Sequence, residues 1–382
     1  MELYVHIPFC KQKCRYCSFA SFTGREGYRE KYIRLLLREA RLRKDEVSGP
    51  FTTVYIGGGT PSLLSPAQLS GLIEGLRDVF GLDSVTEFTA EANPGTVTRE
   101  WLDAAVSGGV NRISFGMQAY QEELLRLLGR IHTFEEVRES VWLARQSGIG
   151  NINLDLIFGI PTQTLSAWSE TLDAALSLGP SHLSAYGLIP EEGTPFMHDL
   201  ETGILTLPDP ETEREMYGLA LEKTAGSGFR QYEISNFALE GRECLHNIGY
   251  WTQVPYLGLG VSAASMTGVR RGSDGMTYLR CVNPDSIGKY EEYAGRGRLP
   301  EYERISPAEA RFETLMLGLR MNCGVKEEDF LRIHGIAIGQ CYGRKLAEME
   351  KRGLLLHENE AWRMTARGFD IQNSVLVELM DG

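Results

Sequence analysis

Three cysteines fall within eight positions near the start of the chain: Cys10, Cys14 and Cys17 in HIPFCKQKCRYCSF, His6 to Phe19. They follow a β-prone run in a loop headed by Pro8 and Phe9, so their sulfurs can converge on one point. A structural zinc site asks for four protein ligands, and no second Cys-x-x-Cys or His-x-x-x-His pair is present to complete one. Iron–sulfur clusters also use thiolates, ordinarily four. Three would leave one iron without a protein ligand and open to a substrate.

Other residues are placed to serve such a centre. Gly57-Gly58-Gly59-Thr60-Pro61 closes the second β-rich run. A tight turn explains the glycines, and a turn without side chains also lets backbone amides approach a ligand. Glu91 in TAEANP, Gln118 in SFGMQAY, Arg130 in LLGRIHT and Asp155 in NLDLIFGIP are expected at the ends of successive strands. Singly, each reads as a cap, a turn residue or a solvated charge. Together, behind a three-cysteine loop, they suit a cradle for a charged nucleoside.

The elements that must position them alternate. β-rich runs at Leu3–Ile7, Thr53–Ile56, Glu87–Glu91, Asn111–Phe115, Asn151–Ile157 and His182–Gly187 are separated by amphipathic segments at Tyr28–Asp45, Pro66–Phe80, Thr98–Ser107, Phe134–Gln146 and Leu165–Leu176. This order predicts a parallel sheet with right-handed crossovers. Six units are too few for a full eight-stranded barrel, which leaves an open barrel or a doubly wound sheet, and in both the ligand groups gather at the carboxyl ends of the strands. A helix is expected at about Thr212–Thr224. Tyr232 to Tyr278, rich in glycine and aromatics, is expected to form strands and loops that close the main domain. ARFETLMLGLR, CYGRKLAEMEKRG, the hairpin LLLHENEAWRMT and ARGFDIQNSVLVELM then resemble a winged-helix module. The organisation expected is 1–225 for the cofactor-binding barrel, 226–300 for the strand and loop region, and 301–382 for a helical domain.

Composition bounds the function. With 382 residues, 42% hydrophobic and 24% charged, the chain has ample core for a large domain and a small one. A net charge of -12 argues against a nucleic-acid partner. The opening MELYVHIPFC has no basic leader and apolar stretch, and no apolar run is long enough to span a bilayer, so the reading is a cytoplasmic protein. Cys244, Cys281, Cys323 and Cys341 are scattered and read as plain buried thiols.

CxxxCxxC behind a β-strand, at the head of a repeated β/α chain, resembles the radical S-adenosylmethionine (SAM) superfamily. The resemblance implies an α/β fold, a partial (β/α)6 barrel with a smaller C-terminal winged-helix-like domain. It also implies a 4Fe-4S cluster on Cys10, Cys14 and Cys17, with SAM chelated to the free iron and cleaved to a 5′-deoxyadenosyl radical. More narrowly, Tyr4, Tyr16, Gly58, Gly59, Thr60, Glu91, Gln118, Arg130 and Asp155 match the SAM-binding positions of the oxygen-independent coproporphyrinogen III oxidase family. LMLGLRMNCGV and RMTARGFDIQN look like that family's tail, so the likeness covers nearly the whole chain.

Two groups share this framework. The oxidases decarboxylate coproporphyrinogen, and they carry a fourth cysteine where this chain has Phe19, with an N-terminal segment ahead of Tyr4 that is not found here. The haem chaperones carry HNxxYW, and this chain reads Cys244-Leu-His246-Asn247-Ile-Gly-Tyr250-Trp251. That resemblance implies haem as a third bound group, with His246 as its axial ligand and Tyr250 and Trp251 as aromatic walls. It implies acceptor haem proteins as partners, respiratory enzymes at the membrane among them, and hence transient membrane association. Ser18 stands where many relatives have an aspartate and Ala264 where many have a histidine, and the second departure leaves fewer candidates for another iron ligand. The oxidase and a ring-opening radical methyltransferase remain as alternatives.

Overall fold

The structure is a computed structural model that describes residues 1–272 and 275–380. Six parallel strands lie side by side in chain order: β1 (Glu2–Ile7), β2 (Thr53–Gly58), β3 (Glu87–Ala92), β4 (Arg112–Gln118), β5 (Asn151–Phe158) and β6 (His182–Gly187). That order decides between the two expected architectures, because a doubly wound sheet reverses its strand order part-way. Between the strands run α1 (Arg29–Leu42), α2 (Pro66–Phe80), α3 (Arg99–Ser107), α4 (Glu122–Leu128), α5 (Phe134–Gln146) and α6 (Leu165–Ser177). Their starts are written in the sequence: Ser65 with Gln68, and Thr133 with Glu136, form reciprocal capping boxes on α2 and α5.

Successive side chains of a strand point to opposite faces, and here the two faces differ in kind. Leu3, Val5, Val54, Ile56, Ile113, Phe115, Ile152 and Leu154 belong to the large apolar core shared with the helices. Their neighbours Tyr4, Tyr55, Glu91, Arg112, Asp155 and Ser184 line one cavity on the other face. Residues from all six strands reach it, so the sheet curls around a polar lumen. A closed eight-stranded barrel fills that space with branched aliphatic side chains.

After α7 (Pro195–Glu201) and α8 (Pro210–Gly226), the next stretch widens the sheet instead of closing it. β7 (Arg230–Glu233) and β8 (Asn236–Ala238) extend it antiparallel beyond β6. β9 (Tyr256–Leu259) pairs parallel with β1, and β10 (Ala264–Gly272), β11 (Gly275–Val282) and β12 (Glu303–Ile305) follow antiparallel. β7 and β12 remain the two edges of a twelve-stranded sheet. The expectation of strands and loops across this stretch needs two corrections: HNIGYW lies in a helix, α9 (Leu245–Trp251), and a further helix, α10 (Ile287–Gly295), precedes β12.

The C-terminal module has its own core around Leu315, Phe330, Leu346 and Leu376. It comprises α11 (Pro307–Gly318), α12 (Glu327–His334), α13 (Ile338–Lys351) and a small sheet of β13 (Val325–Lys326), β14 (Leu355–Glu358) and β15 (Ala361–Met364). Asn359 and Glu360, both at positive φ, make the two-residue hairpin turn. The expected last helix is two, α14 (Ala366–Asp370) and α15 (Gln372–Met380). Ile234 N–H donates to Arg320 O and Asn322 N–H to Tyr232 O, which fastens the module to β7. Of the four scattered cysteines, Cys244 and Cys281 are buried, whereas Cys323 is exposed and Cys341 half-buried, so the buried-thiol reading holds for two. Among the described residues no helix is long and apolar enough to cross a membrane.

Candidate functional site

Cys10, Cys14 and Cys17 lie in the loop after β1, unpaired and half-buried. The loop is stitched to the barrel by Cys10 N–H to Phe22 O (3.0 Å) and Arg15 N–H to Leu128 O (3.0 Å). Among the described residues no three Cys, His, Asp or Glu side chains are close enough to hold a single metal ion. The three thiols nonetheless act on one another electrostatically, and in a cluster each thiolate would bond its own iron. Burial pushes the Cys10 and Cys17 thiols up. Arg130 Nη1 lies 3.4 Å from Cys14 Sγ, and Thr60 Oγ1 donates to Cys10 Sγ at 3.7 Å, which opposes the effect of burial on the Cys10 thiol. Tyr16 packs against the α4 side of the loop beside Cys14.

The glycine turn works differently from the expectation. Gly58 N–H donates to Glu91 Oε2 (2.9 Å), Gly59 N–H to Ile7 O (2.9 Å) and Thr60 N–H to Phe9 O (2.7 Å). The amides are engaged within the protein and are not offered to a ligand. Gly58 is required for a second reason: its φ is +108°, and a Cβ there would come within 2.4 Å of the His6 ring. His6 Nε2–H donates to Ala20 O (2.8 Å), leaving Nδ1 to accept from the Tyr4 hydroxyl (2.9 Å), so Tyr4 is tied through His6 to the cysteine loop.

Glu91 and Gln118 stand at or next to strand ends, but two other residues do not. Asp155 is mid-strand in β5, and Arg130 follows the helix cap Gly129. Arg130 returns to the site by donating to Gly116 O (2.9 Å) and Asn93 Oδ1 (2.7 Å). Gln118, at φ +64°, sits on the bulge between β4 and β5. Glu91 accepts from the Tyr55 hydroxyl (2.8 Å) as well as from Gly58, and Asp155 from Ser114 Oγ (2.9 Å) and Asn153 Nδ2 (2.8 Å). Burial, with Asp155 nearby, lifts the Glu91 carboxyl to about 7. Two carboxylates on one lumen wall are electrostatically suited to a ligand with cationic or hydroxyl groups.

The motif helix α9 covers the other end of the lumen. Glu87, at the start of β3, accepts from the backbone N–H groups of Leu245 (2.8 Å) and His246 (3.0 Å) and so caps it. Gly249 lets the helix lie directly on β1, since a Cβ there would meet Glu2 Oε1 at 1.7 Å. His246 is 2% exposed and stacks on Tyr55; Thr53 Oγ1 lies 2.7 Å from its Nδ1 and the Tyr250 hydroxyl 3.0 Å from its Nε2. Burial, with Arg112 nearby, lowers its pKa to about 3, so it is neutral. Both nitrogens are engaged within the protein. Tyr250 lines the lumen and a neighbouring cavity of about 480 Å³, as expected of a wall. Trp251 lines neither; its ring lies under the Arg320 guanidinium, 5.8 Å away. Phe19 is 64% exposed and lines, with Ser18 and Tyr4, a cavity of about 580 Å³, and Ala264 lines the 480 Å³ cavity.

Glu87, Arg112, Tyr55, Asn93 and Asn247 were not anticipated. Alternation could have found the first three: polar Glu87 and Glu91, Tyr55, and Arg112 and Ser114 share a face with Tyr4 in strands whose other face is apolar. Asn93 lies just past a strand, and only the fold brings it to Thr60 and Arg130.

A curled six-stranded parallel sheet with three cysteines after its first strand defines a radical SAM protein, and the models of known families agree. That of the radical SAM superfamily matches residues 4–175, and that of the HemN C-terminal domain matches residues 305–371. The chain is similar to heme chaperone HemW of Bacillus subtilis, 35% identical over 97% of each chain. To heme chaperone HemW of Escherichia coli it is 33% identical over 98% of this chain and 97% of the other. To the mitochondrial radical S-adenosyl methionine domain-containing protein 1 of Bos taurus it is 32% identical, over 99% and 87%. The solved structure of coproporphyrinogen III oxidase (HemN) from Escherichia coli shares the fold, with a TM-score of 0.84 at 23% identity over 99% of this chain and 89% of that one. The chain belongs to the HemW family of the radical SAM superfamily.

Proposed function

We propose that this protein is a haem chaperone: it holds a 4Fe-4S cluster on Cys10, Cys14 and Cys17, binds SAM at the open iron, and carries haem to acceptor haem proteins. The observation that carries the reading is similarity over 84–99% of this chain to proteins named heme chaperone, at 33–36% identity in three bacteria. When bound, the cluster and SAM together supply one-electron chemistry. The residues present fit both groups. Arg130 and Thr60 orient on the sulfurs. Glu91 and Asp155 receive the cationic and hydroxyl groups of SAM, Tyr4, Tyr16, Gln118 and Arg130 border its site, and the Gly58–Gly59 turn, its amides already engaged, presents carbonyls, which an ammonium group needs.

For haem, His246 is the candidate axial donor. Its ring is already neutral, and release of Nε2 by the Tyr250 hydroxyl frees a lone pair while Nδ1 stays anchored on Thr53. Acceptors include respiratory haem enzymes, met at the membrane surface.

The test is anaerobically reconstituted protein mixed with reductant, SAM and either haem or coproporphyrinogen III, with the tetrapyrrole read by mass spectrometry. The expected result is haem retained at its original mass, coproporphyrinogen untouched, and haem passed to an apo haem protein. Loss of carbon dioxide from coproporphyrinogen makes the protein an oxidase despite Phe19. Altered haem makes it a ring-opening enzyme.

A further inference from the structure

The lumen contains two buried donors with nothing to donate to. Arg112, the first residue of β4, is 2% exposed, and its Nε has no hydrogen-bond partner. Among the described residues no carboxylate comes within ion-pair distance of its guanidinium; the Cys244 thiol and the Glu87 carboxylate act on it from further off, and the oxygens of Glu87 are used in capping α9. Asn247, in α9, has its Nδ2 buried without a partner, beside the Tyr232 hydroxyl but out of hydrogen-bond geometry. Both side chains line the same cavity of about 180 Å³.

Buried polar groups in folded proteins are almost always paired, and a buried cation without an acceptor is among the least favourable arrangements a fold can carry. Two such donors facing one cavity describe the complement of what belongs there: an acceptor with negative charge. A carboxylate matches the planar guanidinium fork and has lone pairs left for an amide donor.

We infer that Arg112 and Asn247 form a carboxylate-binding subsite in the lumen, which takes an acidic side arm of the bound ligand. The identity of that ligand rests on the proposed function: haem bears two propionates. The cavity is smaller than the roughly 300–1,000 Å³ of sites that enclose whole small molecules and carries Glu91 and Asp155 at its other end, so its Arg112 end admits an arm and not a macrocycle. Tyr4 and Tyr250 border both this cavity and the 480 Å³ cavity beside it, where aromatic and thioether side chains of Tyr256, Met266 and Met316 offer a surface for a macrocycle.

The subsite is tested on the full, anaerobically reconstituted chain with sodium propionate, haem and haem dimethyl ester. Propionate raises the unfolding temperature of the wild type and leaves that of Arg112→Met unchanged. Haem binds the wild type about 10- to 100-fold more tightly than the ester, and Arg112→Met loses that preference while keeping its affinity for the ester. Arg112→Met itself melts at the wild-type temperature or above, because it removes an unpaired buried cation. A variant that melts lower and still prefers haem overturns the inference, as does a wild type that neither responds to propionate nor distinguishes haem from its ester. If haem does not bind the wild type, the chaperone reading falls, and the propionate shift alone decides the subsite. Should Arg112→Met not fold, Asn247→Ala is compared in its place, and an undiminished preference there overturns the inference.

Discussion

Replacing Glu87 with alanine tests how the motif helix is held. Glu87 is 4% exposed and accepts from Leu245 N–H at 2.8 Å and His246 N–H at 3.0 Å. Its removal leaves two amides of a seven-residue helix without acceptors. Each buried donor so orphaned costs about 1–3 kcal/mol, which gives about 2–6 kcal/mol for the pair. Arg112 also loses the charge of Glu87, which adds to the penalty. Against a typical total stability of about 5–15 kcal/mol this is a large fraction. Glu87→Gln retains one carbonyl oxygen and should lose about half as much. The assay is urea unfolding of the cofactor-free chain followed by near-ultraviolet circular dichroism, with haem affinity measured in parallel, since α9 carries His246 and Tyr250. A Glu87→Ala protein within about 0.5 kcal/mol of wild type would refute the capping argument, because changes that small are typical of surface positions.

Cys14→Ala is expected to abolish the brown iron–sulfur chromophore after anaerobic reconstitution; iron and sulfide at wild-type content would move the cluster elsewhere. His246→Ala strips partners from the hydroxyls of Thr53 and Tyr250 and should destabilise the protein by about 2 kcal/mol. The same change should alter the haem absorption spectrum, and an unchanged spectrum and affinity would assign the iron to another ligand. The pH dependence of stability follows from Glu91. With its carboxyl raised from 4.5 to about 7 by burial, the folded protein holds a proton across that window which the unfolded chain has released. The contribution of Glu91 to stability therefore falls as pH rises from about 4.5 to 7, by up to about 3 kcal/mol, and is read as the difference in slope between wild type and the Glu91→Gln variant. Glu91→Gln removes this component, and an unaltered slope in the variant would count against the assignment.

The parts legible in the sequence were those set by local pattern. All six barrel strands and the five helices read from periodicity form where expected, because alternation in the strands and capped amphipathic runs such as Ser65 to Phe80 agree with the final packing. α9 was missed because seven residues of LHNIGYW carry no helical periodicity and no local cap; its acceptor, Glu87, is 158 residues away from Leu245. Arg130 was placed at a strand end because LLGRIHT hides a short helix, α4, whose left-handed cap Gly129 turns the chain back toward Cys14. In the first case a long-range hydrogen bond, and not propensity, fixes the local structure; in the second a local glycine cap does.

The lumen shows why a fold of this kind needs ligands to be understood. Its walls present Glu91 and Asp155 at one level, Arg112, His182 and Asn247 at another, and tyrosines between them. Asn153 links the two levels, donating to Asp155 Oδ1 at 2.8 Å and meeting His182 Nδ1 at 2.6 Å through its carbonyl oxygen. A barrel selected for stability alone would fill the space with aliphatic side chains and leave no donor unpaired. Here the carboxylate end lies near the cysteine loop and the cationic end lies under the motif helix. Such a polarity suits a ligand set with positive charge toward the cluster and negative charge toward α9. SAM, with its sulfonium and ammonium groups, answers the first requirement, and an acid-bearing tetrapyrrole the second. The two sites share one hydrogen-bonded wall, so occupancy of one is expected to change the affinity of the other.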